Sequence, residues 1–137
     1  MSVYVDSSVL LRVVFRAPNR LRGWGKVTAP YTSDLARVEC FRTVDRLRLD
    51  GSVDDVEVAE LREAIEELFE SIALVSVDRR ILRRAAEPMP TALRSLDAIH
   101  VASALAVRTK VASLSLATHD EEMATAAKAL GFRVLGI

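Results

Sequence analysis

Short apolar runs alternate along this chain with longer stretches in which apolar residues recur every three or four positions. The short runs predict strands at residues 3–6, near residue 31, and at 73–77, 114–118 and 132–137. The longer stretches predict helices at residues 9–15, 20–26, 35–49, 52–72, 79–86, from 95 or 97 onward, and at 121–130. This alternation predicts an α/β fold of three layers, with a mainly parallel sheet of roughly five strands flanked by helices.

Two of the predicted helices have distinctive faces. In the helix at residues 52–72 the apolar residues lie on one side and the glutamates on the other, which is the clearest amphipathic pattern in the chain. The helix that begins at 95 or 97 is rich in alanine and apolar on all sides, which predicts a central, buried position. The expected helix N-caps are Ser7, Ser33, Ser52 and Asp78.

Composition restricts the classes of protein that the chain can represent. Its length suits a single domain spanning residues 1–137, large enough to bury a core without cross-links. Cys40 is the only cysteine, which excludes an internal disulfide and a zinc site built on several thiolates, and indicates a reducing compartment. No run approaches the length of about 18–20 apolar residues that spans a membrane, and the N-terminal segment lacks the features of a secretory signal. We therefore expect a cytoplasmic protein without membrane contact.

Charge is neutral overall but unevenly distributed. Residues 1–26 carry five basic side chains and one acidic one, whereas residues 50–70 carry nine acidic side chains and one basic one. A neutral total argues against capture of nucleic acid by the whole surface, but a local basic face can still hold a phosphate backbone. Arg12, Arg16, Arg20 and Arg22 follow Asp6, and we expect the helix that begins there to carry Arg12 and Arg16 on one face, where they guide such a backbone. A solvated helix face explains each charged run equally well.

Four acidic residues lie in separate segments, each where a predicted strand passes to a helix or in the first turns of a helix. They are Asp6, Glu39, Asp97 and Asp120. Each one singly has a structural explanation, because an acid near a helix N-terminus caps the helix or interacts favourably with its dipole. Serine would cap equally well, so the recurrence of acids favours a shared site at the edge where parallel strands end. Converging carboxylates suit Mg²⁺ or Mn²⁺ and indicate metal-dependent phosphodiester chemistry.

The segments around these acids resemble the PIN-domain nuclease family, in particular the VapC-type toxins of bacterial toxin–antitoxin pairs. The hydrophobic run that ends in VDSS is similar to the first acid motif of that family, and SDLARVECFR is similar to the second. LRSLDAIHVASAL closely matches the LDA-x-H-x-A-x-A helix, the most specific of the four motifs. LATHDEEMATAAKALGFRV resembles the closing segment. The motifs span nearly the whole chain, and only residues from about 49 to 90 match none of them.

The resemblance implies a ribonuclease toxin that depends on Mg²⁺ or Mn²⁺. The implied metal ligands, which with Thr118 form the catalytic set, are Asp6, Glu39, Asp97 and Asp120. Thr118 and Ser8 are expected to orient carboxylates or water. A metal-activated water would attack an RNA phosphodiester, and translation would be inhibited. The resemblance also implies a cognate antitoxin as partner, and the apolar composition favours a homodimer.

Three alternatives stay open on sequence grounds. A phosphoacceptor receiver domain also alternates strands with helices, but this chain lacks the adjacent acidic pair after the first strand and the lysine after the last one. A phosphoaspartate hydrolase needs an acid at position 8, where Ser8 stands. A PIN module without catalytic or toxin activity is disfavoured because all four acids are present.

The two histidines and Tyr4 are weighed separately. His100 invites a general-base role, but it lies one turn beyond Asp97 on the helix expected to be buried, which favours a packed, hydrogen-bonded core histidine. His119 is given no role, since it precedes Asp120 in a segment where it can face either way. Tyr4 is expected in the core.

Overall fold

The computed structural model describes residues 1–137 as a five-stranded sheet flanked by six α-helices. The strands are β1 (Ser2–Val5), β2 (Ala29–Ser33), β3 (Ala73–Val75), β4 (Ser115–Ala117) and β5 (Val134–Leu135). The helices are α1 (Ser7–Val14), α2 (Asp34–Leu49), α3 (Asp55–Glu70), α4 (Arg79–Ala85), α5 (Ser95–Arg108) and α6 (Glu121–Ala129). The predicted α/β fold with a parallel sheet is confirmed.

All strand pairs in the sheet are parallel, in the order β3-β2-β1-β4-β5. The central strand, β1, has Tyr4 opposite Tyr31 on one side and opposite Leu116 on the other. Successive connections move outward from β1 in one direction to β2 and β3, and in the other to β4 and β5. Because the order reverses at β1, the crevice at its carboxyl end is where such sheets place their sites.

Side chains on β1 alternate between two cores, one on each face of the sheet. Val3 and Val5 belong to a cluster with residues of α1, α2 and α3, whereas Tyr4 belongs to a cluster with residues of α5 and α6. α5 is the central helix that its composition predicts, because half of its residues are buried. No helix combines the length and the apolar character needed to cross a membrane.

Three boundary predictions were wrong. Asp6 caps α1, not Ser7, since its carboxylate accepts the Val9 N–H at 3.1 Å. α3 begins after Asp54, whose capping box pairs it with the third helical residue. Ser52 lies outside that helix because its N–H donates to the Asp50 carboxylate at 2.9 Å. The expected helix at residues 20–26 is a single 3₁₀ turn, Trp24–Lys26.

The shared face expected for Arg12 and Arg16 does not form. α1 ends at Val14, and Arg16 adopts a left-handed conformation with φ of 52°. The Arg12 guanidinium donates to the Asn19 carbonyl at 3.2 Å and so holds the loop that follows the helix. Arg12 and Arg16 therefore do not lie one helical turn apart on a common face, as they would on a longer helix.

Candidate active site

The predicted acids gather at the carboxyl edge of the sheet, around the end of β1. Asp6 follows β1, Asp120 follows β4, Glu39 lies in the second turn of α2, and Asp97 lies in the first turn of α5. Burial, and after it repulsion by Asp120, raises the pKa of Asp97, and the charges of Asp6 and Glu39 add to the rise. Asp97 is thus within electrostatic reach of the other three carboxylates.

Asp6 is almost fully buried, 3% exposed, and its carboxylate is nearly saturated with hydrogen bonds. Its Oδ1 accepts from the Val9 N–H at 3.1 Å and from the Ser8 hydroxyl at 2.6 Å. Its Oδ2 accepts from the Thr118 hydroxyl at 2.5 Å. A carboxylate has about four acceptor positions, so one position on Oδ2 is left for a cation or a water.

Thr118 connects the first and last acids of the site. While its hydroxyl donates to Asp6, its oxygen accepts the backbone N–H of Asp120 at 3.0 Å, and the side chain is fully buried. Asp120 Oδ1 accepts the Met123 N–H at 2.7 Å as the cap of α6, which leaves Oδ2 free. Asp120 therefore caps α6 with one carboxylate oxygen and keeps the other available for a metal or a water. Its role as a helix cap does not exclude a role in the site.

Glu39 is held by both of its oxygens. Oε1 lies 2.6 Å from Nε2 of His100, and Oε2 accepts the Ser7 hydroxyl at 3.0 Å. His100 is 1% exposed, and its Nδ1 lies 2.7 Å from the hydroxyl of Tyr4. The expectation of a buried, hydrogen-bonded His100 is confirmed. The sequence did not predict that its partners would be Tyr4 and Glu39.

Asp97 is the carboxylate without such restraints. The N-cap of α5 is Arg94, which makes no side-chain capping bond, and the Asp97 carboxylate takes no part in the hydrogen bonds that hold the other acids. Its raised pKa records that burial and neighbouring negative charges disfavour its ionised form. A free, electrostatically strained carboxylate is the one that gains most from a cation.

The donor set fits a hard divalent cation better than a soft one. The free positions belong to carboxylate oxygens, and burial raises the pKa of the nearby Cys40 thiol to about 12, which keeps it neutral. No three acidic, histidine or cysteine side chains converge, as placed, on one point at which they would hold an ion. Mg²⁺ is commonly held by one or two carboxylates and several waters, so the open arrangement is compatible with it.

The second histidine fastens the loop that carries Thr118. His119 Nδ1 lies 2.8 Å from the Gly136 carbonyl oxygen, and the His119 N–H donates to Ser8 Oγ at 3.1 Å. A Cβ at Gly136 would stand 2.5 Å from the Thr118 carbonyl oxygen, so the end of the last strand packs directly on this loop. His119 is therefore a structural contact of the loop that holds Thr118.

A groove of about 470 Å³ opens beside Glu39 between α1 and α2. Its apolar residues include Val38 and Leu96, which are 58% and 46% exposed, and Arg42 and Arg46 lie on its rim. Arg42 donates to Asp45 at 2.7 Å, whereas Arg46 contacts only the Thr43 hydroxyl, at 3.2 Å. Sequence reasoning missed this groove, although exposed apolar residues on a helix next to a motif acid are a usable signal.

The chain is similar to known proteins over nearly its whole length. Residues 3–129 match the PIN domain family model. Ribonuclease VapC46 of Mycobacterium tuberculosis (strain ATCC 25618 / H37Rv) is 35% identical over 137 residues, which cover 98% of this chain and 96% of that protein. Ribonuclease VapC47 of Mycobacterium tuberculosis (strain CDC 1551 / Oshkosh) is 27% identical, with 95% and 93% covered.

Solved structures give the same fold. A toxin–antitoxin complex from Klebsiella pneumoniae contains a chain that superposes with a TM-score of 0.67 at 15% identity, over 90% of this chain and 91% of that one. The match over residues 3–129 excludes the receiver and phosphoaspartate hydrolase alternatives. With the acids gathered at the end of β1 and VapC proteins similar over almost its whole length, this chain belongs to the PIN-domain family and is of the VapC type.

Proposed function

We propose that this protein is an endoribonuclease dependent on Mg²⁺ or Mn²⁺ and acts as the toxin of a toxin–antitoxin pair, inhibiting translation. The observation that carries the proposal is the placement of Asp6, Glu39, Asp97 and Asp120 around the carboxyl end of β1, where Thr118 links Asp6 to the backbone of Asp120. The raised pKa of Asp97, which reflects burial first and then the charge of Asp120, agrees with this placement. Carboxylates held together against their repulsion indicate a site built for a cation. Two relatives that match this chain over nearly its full length are named ribonucleases, which supports RNA as the substrate class.

The side chains divide into ligands and residues that orient them. Asp97 and the remaining acceptor position on Asp6 Oδ2 would be the most direct ligands, and Glu39 and Asp120 would contribute directly or through water. Ser8 and Thr118 are not proposed as ligands, because their hydroxyls hold the Asp6 carboxylate in one orientation. When bound, the cation activates a water for attack on the phosphodiester and stabilises the charge that develops on its oxygens.

The groove beside Glu39 suits the approach of a phosphate backbone. Arg46 is on its rim without a carboxylate partner, and Arg42 shares its charge with Asp45. The acidic face of α3 repels phosphate, so this rim is a better path to the acids than that helix. Arg46 replaces Arg12 and Arg16 as the basic residue expected to contact RNA, because those two do not share a helix face.

The same groove suits a segment of a cognate antitoxin. Its apolar floor, which includes Leu11, Leu35, Val38 and Leu96, gives an amphipathic peptide a place to bury its apolar side. A segment seated there would block the path to Glu39 and the other acids, so that RNA and antitoxin compete. The Klebsiella pneumoniae chain of the same fold occurs in a toxin–antitoxin complex, which supports such a partner.

A second apolar surface suits a homodimer. The outer side of β3 is an edge of the sheet, and it borders a cavity of about 660 Å³ between β3, α4 and α5. Leu74 on β3 lines this cavity and is 45% exposed. Covering an edge strand and its apolar neighbours with a second copy removes both from water.

The test is an RNA cleavage assay with and without Mg²⁺, using the wild-type protein and the Asp97→Asn variant. Cleavage that needs the metal and the Asp97 carboxylate supports the proposal. A wild-type protein that binds RNA and the antitoxin but leaves RNA intact with Mg²⁺ and with Mn²⁺ would instead establish a PIN module without catalytic activity.

A further inference from the structure

We propose that Tyr4 and His100 form a positioning device for Glu39, in which the Tyr4 hydroxyl fixes the tautomer of His100 and His100 fixes the carboxylate. The consequence for cleavage rests on the function proposed above, but the device itself is a property of three side chains. They come from β1, α2 and α5, and they are separated in sequence by 96 and 61 residues.

The contacts between the three side chains are short and largely buried. The Tyr4 hydroxyl oxygen lies 2.7 Å from His100 Nδ1, and His100 Nε2 lies 2.6 Å from Glu39 Oε1. Tyr4 is fully buried, and the two rings meet edge to face with centroids 5.9 Å apart. Buried polar atoms that are paired in this way favour one arrangement, because leaving a buried donor or acceptor unpaired costs free energy.

The position of the imidazole proton follows from its two neighbours. A carboxylate only accepts, so Nε2 of His100 must carry hydrogen to bond Glu39. With one proton on the ring, Nδ1 is then an acceptor, and the Tyr4 hydroxyl must donate to it. A tyrosine hydroxyl carries its hydrogen at neutral pH, so it can donate to Nδ1 at the observed distance of 2.7 Å. Tyr4 thereby selects the tautomer that Glu39 requires.

The hydrogen bonds to His100 and Ser7 fix the orientation of the Glu39 carboxylate, because each of its oxygens has its own partner. His100 occupies one acceptor position on Oε1, and the Ser7 hydroxyl occupies one on Oε2, at 3.0 Å. Each oxygen keeps one further acceptor position, which a cation or a water can occupy. Without the donor on Nε2, Oε1 would face an imidazole lone pair, and the carboxylate would turn away.

The central test is the Tyr4→Phe variant, which keeps the ring and removes only the hydroxyl. Tyr31→Phe is the matched control, since Tyr31 lies opposite Tyr4 on β2 and lines the cavity beyond β3. Nitrogen-15 NMR of the histidine side chains reports which ring nitrogen carries hydrogen. We expect His100 to carry it on Nε2 in the wild type and in Tyr31→Phe, and to populate the Nδ1 form in Tyr4→Phe.

Calorimetric titration with Mn²⁺ measures the effect on the site without any RNA. Changes to groups that orient metal ligands typically cost about 10- to 100-fold in affinity, and we expect a loss in this range for Tyr4→Phe. In a background of His100→Gln, whose amide N–H replaces Nε2–H, removing the Tyr4 hydroxyl should cost nothing further. This double-mutant cycle separates action through the imidazole from a general effect on packing.

Two results would overturn the inference: a wild-type His100 protonated only on Nδ1, or a Tyr4→Phe variant with unchanged tautomer and unchanged Mn²⁺ affinity. If Tyr4→Phe does not fold, the wild-type tautomer decides alone. If the wild type binds no Mn²⁺, the proposed metal site is wrong, and the tautomer of His100 seen by NMR alone decides whether Tyr4 and His100 position Glu39. If Mn²⁺ affinity falls as expected but no RNA is cleaved, the device stands and the proposed reaction fails.

Discussion

Replacing Asp97 with asparagine should move stability and activity in opposite directions. The change removes one negative charge from a half-buried position that three other carboxylates act upon. Solvent screens pairs at partly exposed sites to about 0.2–1 kcal/mol each. Taken toward the lower end of that range, the three pairs together give a gain of about 1 kcal/mol in the free energy of unfolding. For a chain of this size, the melting temperature would rise by about 2–6 °C.

The direction of the pKa shift gives the pH dependence of this gain. Because the folded pKa of Asp97 is raised, the folded protein binds the Asp97 proton more tightly than the unfolded chain does. Ionisation of Asp97 therefore lowers stability. This loss of stability is absent below the pKa of Asp97 in the unfolded chain, about 3.9. It grows as the pH rises toward the pKa of Asp97 in the folded protein, and it is complete above that pKa. The stabilisation by asparagine should be present at pH 7 and vanish near about pH 4.

The assay is thermal unfolding in chelator, from about pH 4 to pH 7, followed by the same measurement with Mg²⁺. Asp55→Asn is the control, since Asp55 is an exposed first-turn residue of α3 and its replacement changes net charge equally. Mg²⁺ should stabilise the wild type more than Asp97→Asn, because a ligand stabilises the state that binds it. RNA cleavage by Asp97→Asn should fall by more than about 100-fold, beyond the loss typical of residues that only orient ligands.

Two outcomes would refute this reasoning. An Asp97→Asn protein that is less stable than the wild type at pH 7 without metal would show that repulsion does not strain the site. Undiminished RNA cleavage by a folded Asp97→Asn protein would show that its carboxylate is not a metal ligand.

Three further predictions concern RNA binding, the dimer and toxicity. Arg46→Glu should weaken RNA binding and reduce the slope of log affinity against log salt by about 0.7 for a single-stranded substrate. Arg48→Glu, which lies outside the groove on the same helix, should change this slope less, and an equal slope for the wild type and Arg46→Glu would show that Arg46 does not contact RNA. Leu74→Glu should convert a dimer to a monomer in light scattering, and Leu49→Glu, a change of an exposed leucine at the end of α2, should not. If the dimer survives Leu74→Glu, its interface lies elsewhere on the surface. Expression without an antitoxin should arrest growth and translation, and co-expression of the cognate antitoxin should restore both; normal growth with ample soluble wild-type protein would contradict the toxin proposal.

Local pattern predicted much of what lies within single elements. The alternation of apolar runs with helical spacing gave the class of fold, because strands with a period of two and helices with a period of 3.6 bury different residues. The alanine-rich composition of α5 predicted its central position, which agrees with the burial of Ala98, Val101 and Ala104. The placement of Asp6 and Asp120 directly after strands predicted their convergence, since the ends of parallel strands share one edge.

Local pattern was least reliable at the ends of elements. Whether Ser52 or Asp54 caps α3 depends on competing short-range hydrogen bonds, and the turn made with Asp50 decides it. The length of α1 was overestimated because apolar spacing continues to Phe15, while the backbone turns to the left-handed conformation at Arg16. The predicted pairing of Arg12 with Arg16 failed for the same reason.

Contacts between distant segments were decided by the tertiary structure alone. Nothing in the spacing of Tyr4, Glu39 and His100 relates them, because the rules of a single helix or strand reach only a few residues along the chain. Packing of α5 against one face of the sheet brings His100 to Tyr4, while α2 on the other face carries Glu39 to the edge that both faces share. The sequence therefore determined which acids and which layers the protein has. The packing of the helices decided which uncharged side chains hold those acids, since that depends on the relative positions of elements that no local pattern encodes.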